Sequence, residues 1–321
     1  MIIIKATGKI LEIKNLTKIY TSGRFQHKKV IGAKDISFRI NKGEVVSLVG
    51  ESGSGKTTVA NMILRLITPT SGCVYFNGVD ITKIKKRDYY KQVQVIFQDP
   101  FSSFNYFYKI DRLLRKALNF HLGWISHNRK KQIIMYVLDK LKKEFLRESI
   151  VIEHKQIITR SLKRLTRNAF NFLRGSISRN EKKRIIANVL ANIGINAEEV
   201  LGRYPHQFSG GQLQRFLIAR ILLIKPILLI ADEPTSMIDA SARADILNLL
   251  EFLRKEEGFS VLFITHDIGQ AQYISDRVIV MKNGSIVEKG QTEDVFLHPT
   301  HPYTKNLLAC VPSLYRQWKF D

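Results

Sequence analysis

The 321-residue sequence has only two cysteines, Cys73 and Cys310, too few and too far apart to suggest a metal cluster or a disulfide framework. It also lacks any run approaching the roughly eighteen apolar residues that a membrane-spanning helix requires. Its longest candidates, such as residues 227–231, have the length of a strand, so the chain is not expected to cross a membrane by itself. The opening Met1-Ile2-Ile3-Ile4-Lys5 lacks the basic start, long apolar middle and small-residue cleavage site of a secretory signal, and an intracellular location is the expectation. Acidic residues are scarce: 28 Asp and Glu face 51 Lys and Arg, a formal charge of +23. An excess of that size fits a nucleic-acid or anionic-membrane partner. It is, however, unevenly placed. Residues 109–190 hold 21 Lys and Arg against 6 Asp and Glu, a net +15, which argues against a general nucleic-acid footprint.

An apolar content of 45% is enough for one large domain, or a domain with subdomains. Short β-type runs at 10–13, 36–40 and 45–49, separated by turn residues, predict a strand-rich opening. The third run enters Gly50-Glu51-Ser52-Gly53-Ser54-Gly55-Lys56-Thr57, and residues 58–67 then carry helical apolar spacing that ends near Thr68-Pro69. Strands are expected again at 74–76 and 93–97, with an Asn77-Gly78 turn after the first. Residues 111–201 are long, basic and amphipathic with few prolines or glycines, and read as mostly helical. The α/β alternation then returns with helices at 212–223, 240–257 and 270–275 and strands at 227–231, 261–264, 277–281 and 285–288. This order predicts a mostly parallel sheet covered by helices, interrupted by an inserted helical subdomain.

The glycine run matches G-x-x-x-x-G-K-[ST] between a strand and a helix. Its glycines let backbone N–H groups turn around phosphate oxygens at the positive end of the following helix. Lys56 then reaches the β and γ phosphates, and the Thr57 hydroxyl ligates Mg²⁺. Residues 227–233 form a buried strand ending in Asp232 and Glu233, a pair suited to holding Mg²⁺ through water and polarising an attacking water. Phe208-Ser209-Gly210-Gly211-Gln212 offers a second hydroxyl and exposed N–H groups ahead of a helix, although a serine there is equally an ordinary helix cap. His266 after its strand, and Gln98 after Val95-Ile96-Phe97, carry little meaning alone.

Order and spacing give them meaning. Phosphate loop, Gln98, FSGGQ, Asp232-Glu233, Ser236-Met237-Ile238-Asp239 and His266 together resemble the nucleotide-binding subunit of ABC transporters, over essentially the whole chain. The resemblance implies an α/β cassette: an N-terminal antiparallel β subdomain, a RecA-like parallel-sheet core and an enlarged inserted helical subdomain. It implies ATP and Mg²⁺, with Tyr20 stacking on adenine and Gly50, Ser52, Gly53, Gly55, Lys56, Thr57 and Thr58 around the nucleotide. Glu233 becomes the general base, His266 holds the γ phosphate and the water, and Gln98 senses the γ phosphate and joins Thr57 and Asp232 at the metal. Ser209, Gly210, Gly211 and Gln212 would contact ATP bound to an opposite subunit, with Asp239 bridging the two sites. Met237-Ile238 stands where Ala-Leu is usual, a change expected to be neutral.

Residues 203–207 (RYPHQ) and 298–304 (HPTHPYT) resemble the oligopeptide/dipeptide importer subgroup, which also contains nickel and oligosaccharide importers. Some members carry a C-terminal cysteine cluster for iron–sulfur; only Cys310 lies in that region here, and no such cluster is expected. The implied partners are a second ATP-binding subunit, expected to be a different but related chain, two transmembrane permease subunits and an extracytoplasmic solute-binding protein, at the cytoplasmic face of the membrane. The expected organisation is an ATPase domain over 9–275, with the helical subdomain at about 105–212, and C-terminal strands and tail over 276–321. Gln98 and Ser209 are 111 residues apart, roughly twice the family's separation, and the surplus is basic sequence within 120–179. That insert reads either as a solvated helical face or as a contact for anionic lipid headgroups. A soluble ABC-type ATPase acting on nucleic acid is the reading from another class. It usually shows two cassettes, long coiled coils or zinc-binding cysteines, none of which is visible.

Overall fold

A computed structural model describes residues 8–22, 28–122 and 178–309. They fall into two compact units: residues 1–108 with 204–321, and residues 109–203.

The first unit contains two sheets. Strands β1 (Lys9–Ser22), β2 (Lys28–Asn41), β4 (Ser71–Phe76) and β5 (Val79–Asp80) form an antiparallel sheet in the order β2-β1-β4-β5. β1 and β2 extend well beyond the apolar runs that mark them in the sequence, because their outer halves pair with each other through several register shifts. The expected turn joins β4 to β5, with Asn77 and Gly78 both at positive φ, 49° and 77°, as a tight hairpin requires.

The second sheet has the order β10-β9-β3-β8-β7-β6. β3 (Val45–Val49), β6 (Val93–Ile96), β7 (Leu228–Asp232), β8 (Ser260–Thr265) and β9 (Arg277–Lys282) run parallel, and β10 (Ser285–Gln291) is antiparallel to β9. The sheet thus continues past residue 275 through β9 and β10. Side chains of β9 alternate between two cores: Ile279 and Met281 face the larger, with Leu48, Leu228, Leu262 and the antiparallel sheet, whereas Val278 and Val280 face Ile268, Val295 and Phe296. A parallel sheet covered on both faces explains why β7 and β8 are apolar without alternation.

Helix α1 (Lys56–Ile63) follows β3. It starts two residues before its predicted range and stops four short of its predicted end. Arg65 turns to φ 57°, the N–H groups of Leu66 and Ile67 fold back on the Asn61 carbonyl, and Tyr89 and Tyr90 donate their hydroxyls to the carbonyls of Ile63 and Leu64. Two tyrosines thereby satisfy carbonyls that a helix end leaves open. α2 (Lys86–Gln92) carries both of those tyrosines.

In the second unit, α3 (Ile110–Leu122) and α4 (Arg179–Asn192) are joined by Lys182 Nζ donating to Asn119 Oδ1 at 2.8 Å, and α5 (Ala197–Val200) follows. Nearly all of the basic surplus at 120–179 lies outside the described residues. Back in the first unit, α6 (Gly210–Ile224) and α7 (Ala240–Glu257) flank β7, and α8 (Ile268–Ile274), α9 (Thr292–Leu297) and α10 (Pro302–Ala309) complete the fold. Among the described residues no helix is long and apolar enough to cross a membrane.

Candidate active site

Four neighbouring parallel strands, β3, β8, β7 and β6, end together, since Val49 lies opposite Thr265, Asp232 opposite Ile264 and Ile96 opposite Ala231. The residues that follow those ends are the phosphate loop, His266, Glu233 and Gln98. Convergence at the carboxyl edge of a parallel sheet is where α/β folds place their ligands.

The loop is shaped around Lys56, whose buried ammonium donates to the carbonyls of Gly50 at 2.7 Å and Glu51 at 2.8 Å and to Ser54 Oγ at 3.3 Å. Burial pulls this ammonium below its ordinary range, opposed by the charges of Glu233, Asp232 and Glu51. Gly55 sits at φ 102°, and a Cβ there would lie 2.2 Å from the carbonyl oxygen of Gly32, so only glycine fits. Gly32 in turn lies under the Tyr20 ring, its own notional Cβ 2.5 Å from the ring edge and 3.1 Å from Thr58 Cγ2. Tyr20, 39% exposed with Lys18 Nζ 5.4 Å from its ring centre, is thus set beside the loop. Ser52 and Gly53 are exposed on the loop's outer turn.

Asp232 is the last residue of β7 and buried. Burial and the neighbouring Glu233 push its carboxyl up to about 6, against a hydrogen bond with the Thr57 side chain and the charge of Lys56. An ionised Asp232 is therefore short of positive charge. A hydroxyl and a carboxylate together are the hard oxygen donors that Mg²⁺ accepts while keeping water and phosphate in its other positions, so the residues fit that ion.

Glu233 leaves the strand at φ 46°, an unfavourable left-handed conformation for a non-glycine residue, held by its N–H to the Ile264 carbonyl and by Ser236 Oγ on its own carbonyl. This turn swings its carboxylate between two side chains. Gln98 Nε2 donates to Oε2 at 2.9 Å, and His266 Nδ1 lies 3.0 Å from Oε1. A carboxylate only accepts, so Nδ1 carries the hydrogen and Nε2 faces outward. Beside them a cavity of about 80 Å³ is lined by Glu233, Ser236, Arg243, Thr265, His266 and Gln270, among others.

Ser209 caps α6 with a reciprocal pair: its hydroxyl accepts from the Gln212 N–H at 3.4 Å, and Gln212 Oε1 accepts from the Ser209 N–H at 3.0 Å. The SGGQ turn packs on the following motif: a Cβ on Gly210 would lie a tight 3.0 Å from the Met237 carbonyl, whereas one on Gly211 would make ordinary contact with Ile238 at 3.7 Å. Asp239 precedes α7 and is exposed, its carbonyl accepting from the N–H groups of Ala242 and Arg243. The structure thus joins Gln98, Glu233 and His266, and joins Thr57 to Asp232, while Ser209 and Gln212 stand exposed on either side of the half-buried Gly210 and Gly211.

A family profile described as ABC transporter matches residues 33–236, well over half of the chain. The chain belongs to the ABC transporter family. A second profile, for the C-terminal region of oligopeptide/dipeptide transporters, matches residues 287–321 of this ABC cassette. It is 36% identical, over 95% of its own length and 82% of the relative's, to the oligopeptide transport ATP-binding protein OppF of Streptococcus mutans. The same figures hold for the dipeptide transport ATP-binding protein DppF of Lactococcus lactis. Among solved structures it resembles cbiO1 from Clostridium perfringens, part of the ABC transporter complex cbiONQ, with a TM-score of 0.64, 22% identity and coverage of 96% and 98% of the two chains. It also resembles MJ0796, a dimeric cassette bound to ADP and Pi, with a TM-score of 0.61, 24% identity and coverage of 88% and 99%.

Several groups that shape this cassette's site are not marked by any motif in the sequence. Gly32 abuts both Gly55 and Tyr20, and Arg243 Nε donates to the Ile238 carbonyl at 3.0 Å. Asp267 orders Gln270, whose Oε1 accepts from Thr235 at 2.7 Å. Only Asp267, an acidic residue one position before a helix, carried a local signal, that of a cap.

Proposed function

We propose that this chain is the ATP-hydrolysing subunit of a membrane importer for di- and oligopeptides. The observation that carries the ATPase reading is the carboxylate of Glu233, held between Gln98 and His266 next to the phosphate loop. In this reading Tyr20 stacks on adenine, and the loop N–H groups with Lys56 and Thr58 hold the phosphates. Glu233 takes a proton from the water that attacks the γ phosphorus; the bond to the leaving oxygen breaks, and ADP and inorganic phosphate result. His266, oriented by its bond to Glu233, turns Nε2 toward the γ phosphate and the water. Thr57, Asp232 and the carbonyl oxygen of Gln98 would hold Mg²⁺, which neutralises charge on the β and γ phosphates.

The cargo assignment is supported by the relatives' peptide transport and by the match at residues 287–321. An oligosaccharide or nickel importer of the same design would use the same site. The subunit would sit peripherally at the cytoplasmic membrane face with two permease subunits, a solute-binding protein outside, and a second, related ATP-binding chain. Ser209 to Gln212 and Asp239 would meet the ATP of that second chain, as the dimeric form of MJ0796 makes reasonable. The test is the purified complex in vesicles. Glu233→Gln should leave ATP bound and lower single-turnover hydrolysis by about 10²-fold or more, with peptide uptake lost in parallel. Unchanged hydrolysis would exclude Glu233 as the base, and uptake of another solute alone would exclude the peptide assignment.

A further inference from the structure

The segment His298-Pro299-Thr300-His301-Pro302-Tyr303 reaches the phosphate loop. The buried Tyr303 hydroxyl accepts a hydrogen bond from the backbone N–H of Glu51 at 3.1 Å, 252 residues away in sequence. The other side of the same residue is also held, because the Glu51 carbonyl accepts from Lys56 Nζ at 2.8 Å and from the Ser54 N–H at 3.1 Å. Tyr303 is itself fixed from behind. Its N–H donates to His301 Nδ1 at 3.1 Å, and Lys282 Nζ lies 4.5 Å from its ring centre. The turn before it is clamped by Glu288 of β10, whose carboxylate accepts from the Thr300 N–H at 2.7 Å, the Thr300 hydroxyl at 2.8 Å and the His301 N–H at 3.2 Å. Burial acts to raise the Glu288 carboxyl, but the Thr304 side chain together with these Thr300 and His301 bonds holds it below its usual range.

We infer that Tyr303 is a positioning residue for nucleotide binding, a strut by which the C-terminal segment holds the phosphate loop in its binding shape. The inference rests on the loop being the nucleotide site. A phosphate loop binds through several N–H groups aimed at one point, so an unanchored second residue lets that aim wander before ATP arrives. The cost then falls on binding rather than on the chemical step, since the groups around Glu233 are untouched.

The test uses the full chain with Mg²⁺ and a fluorescent ATP analogue, comparing Tyr303→Phe, Tyr303→Leu and Lys56→Ala with the unaltered protein. Phenylalanine keeps the ring and removes only the hydroxyl. Tyr303→Phe should weaken binding about threefold to tenfold, as the loss of a part-buried hydrogen bond does. Its melting temperature without nucleotide should stay close to that of the unaltered chain, and KM for ATP should rise with kcat little changed. Tyr303→Leu should weaken binding at least as much and lower the melting temperature too. Full affinity in Tyr303→Phe alongside loss in Lys56→Ala would overturn the strut and keep the nucleotide site. Full affinity in both would overturn the site itself.

Discussion

Two adjacent carboxylates at the end of one strand behave differently because their surroundings differ. Glu233 has a donor at each oxygen, whereas Asp232 is buried beside another acid and is pushed up to about 6 from 3.8. An aspartate raised in the folded state favours the protonated fold. The contribution of this one group to stability is therefore greatest below about pH 4, falls as pH climbs to about 6, and then stays lower by roughly 3 kcal/mol. Asp232→Asn removes that penalty. In the absence of nucleotide and Mg²⁺ the variant should melt at a higher temperature than the unaltered chain at pH 7.5, with the gap closing as pH falls toward 4, while its hydrolysis is lost. Thermal melts across that range check the sign, and a variant that melts lower at pH 7.5 would show that Asp232 is better solvated than its position implies. The identity of these two acids was legible in the sequence because they follow a wholly apolar strand next in order to a phosphate loop. Their unequal environments were not, since those depend on Thr57, Gln98 and His266 arriving from three other strands or loops.

Among the elements, α7 is found over the residues its sequence predicts, as is β3, while α1 and the long β1–β2 pair are not. The difference is physical. A helix with left-handed Gly258 just past its end carries its own stop signal, whereas α1 ends where Tyr89 and Tyr90, twenty-six residues away in sequence, donate to its last carbonyls. The phosphate loop shows the same contrast within one motif. Gly55 and Gly53 both have positive φ, but a Cβ on Gly55 meets the Gly32 backbone at 2.2 Å, while one on Gly53 meets nothing within 4 Å. The motif fixes a glycine at 55 and leaves position 53 open, and the contacts give the physical reason. Gly53→Ala should lose only about 1 kcal/mol of stability, the cost of a left-handed alanine. Gly55→Ala must also move β2 or the loop, and should lose several times as much in chemical denaturation of the nucleotide-free chain. Equal losses would mean that the Gly32 contact yields without cost.

At the scale of the whole molecule, the interruption between Gln98 and Ser209 is read from the family's usual separation together with the basic charge, and the described residues within 109–203 group as a compact unit of their own. The proposed second ATP-binding chain would meet groups that this chain leaves open. Ser209 and Gln212 satisfy each other in a capping pair and remain exposed, as does Asp239. If these groups serve ATP held by the other subunit, a bulky cation at Ser209 should damage the partner's site and spare this one. In the intact complex with two different ATP-binding chains, a photoreactive ATP analogue should still label this chain when it carries Ser209→Arg, and should label the partner about tenfold less, as expected when the contacts to a bound anion are replaced by a clash. Lys56→Ala should give the reverse pattern. Loss of labelling on this chain in Ser209→Arg would instead place both motifs on one nucleotide, because a defect confined to the opposite site cannot remove ATP from a loop whose own N–H groups and lysine are intact.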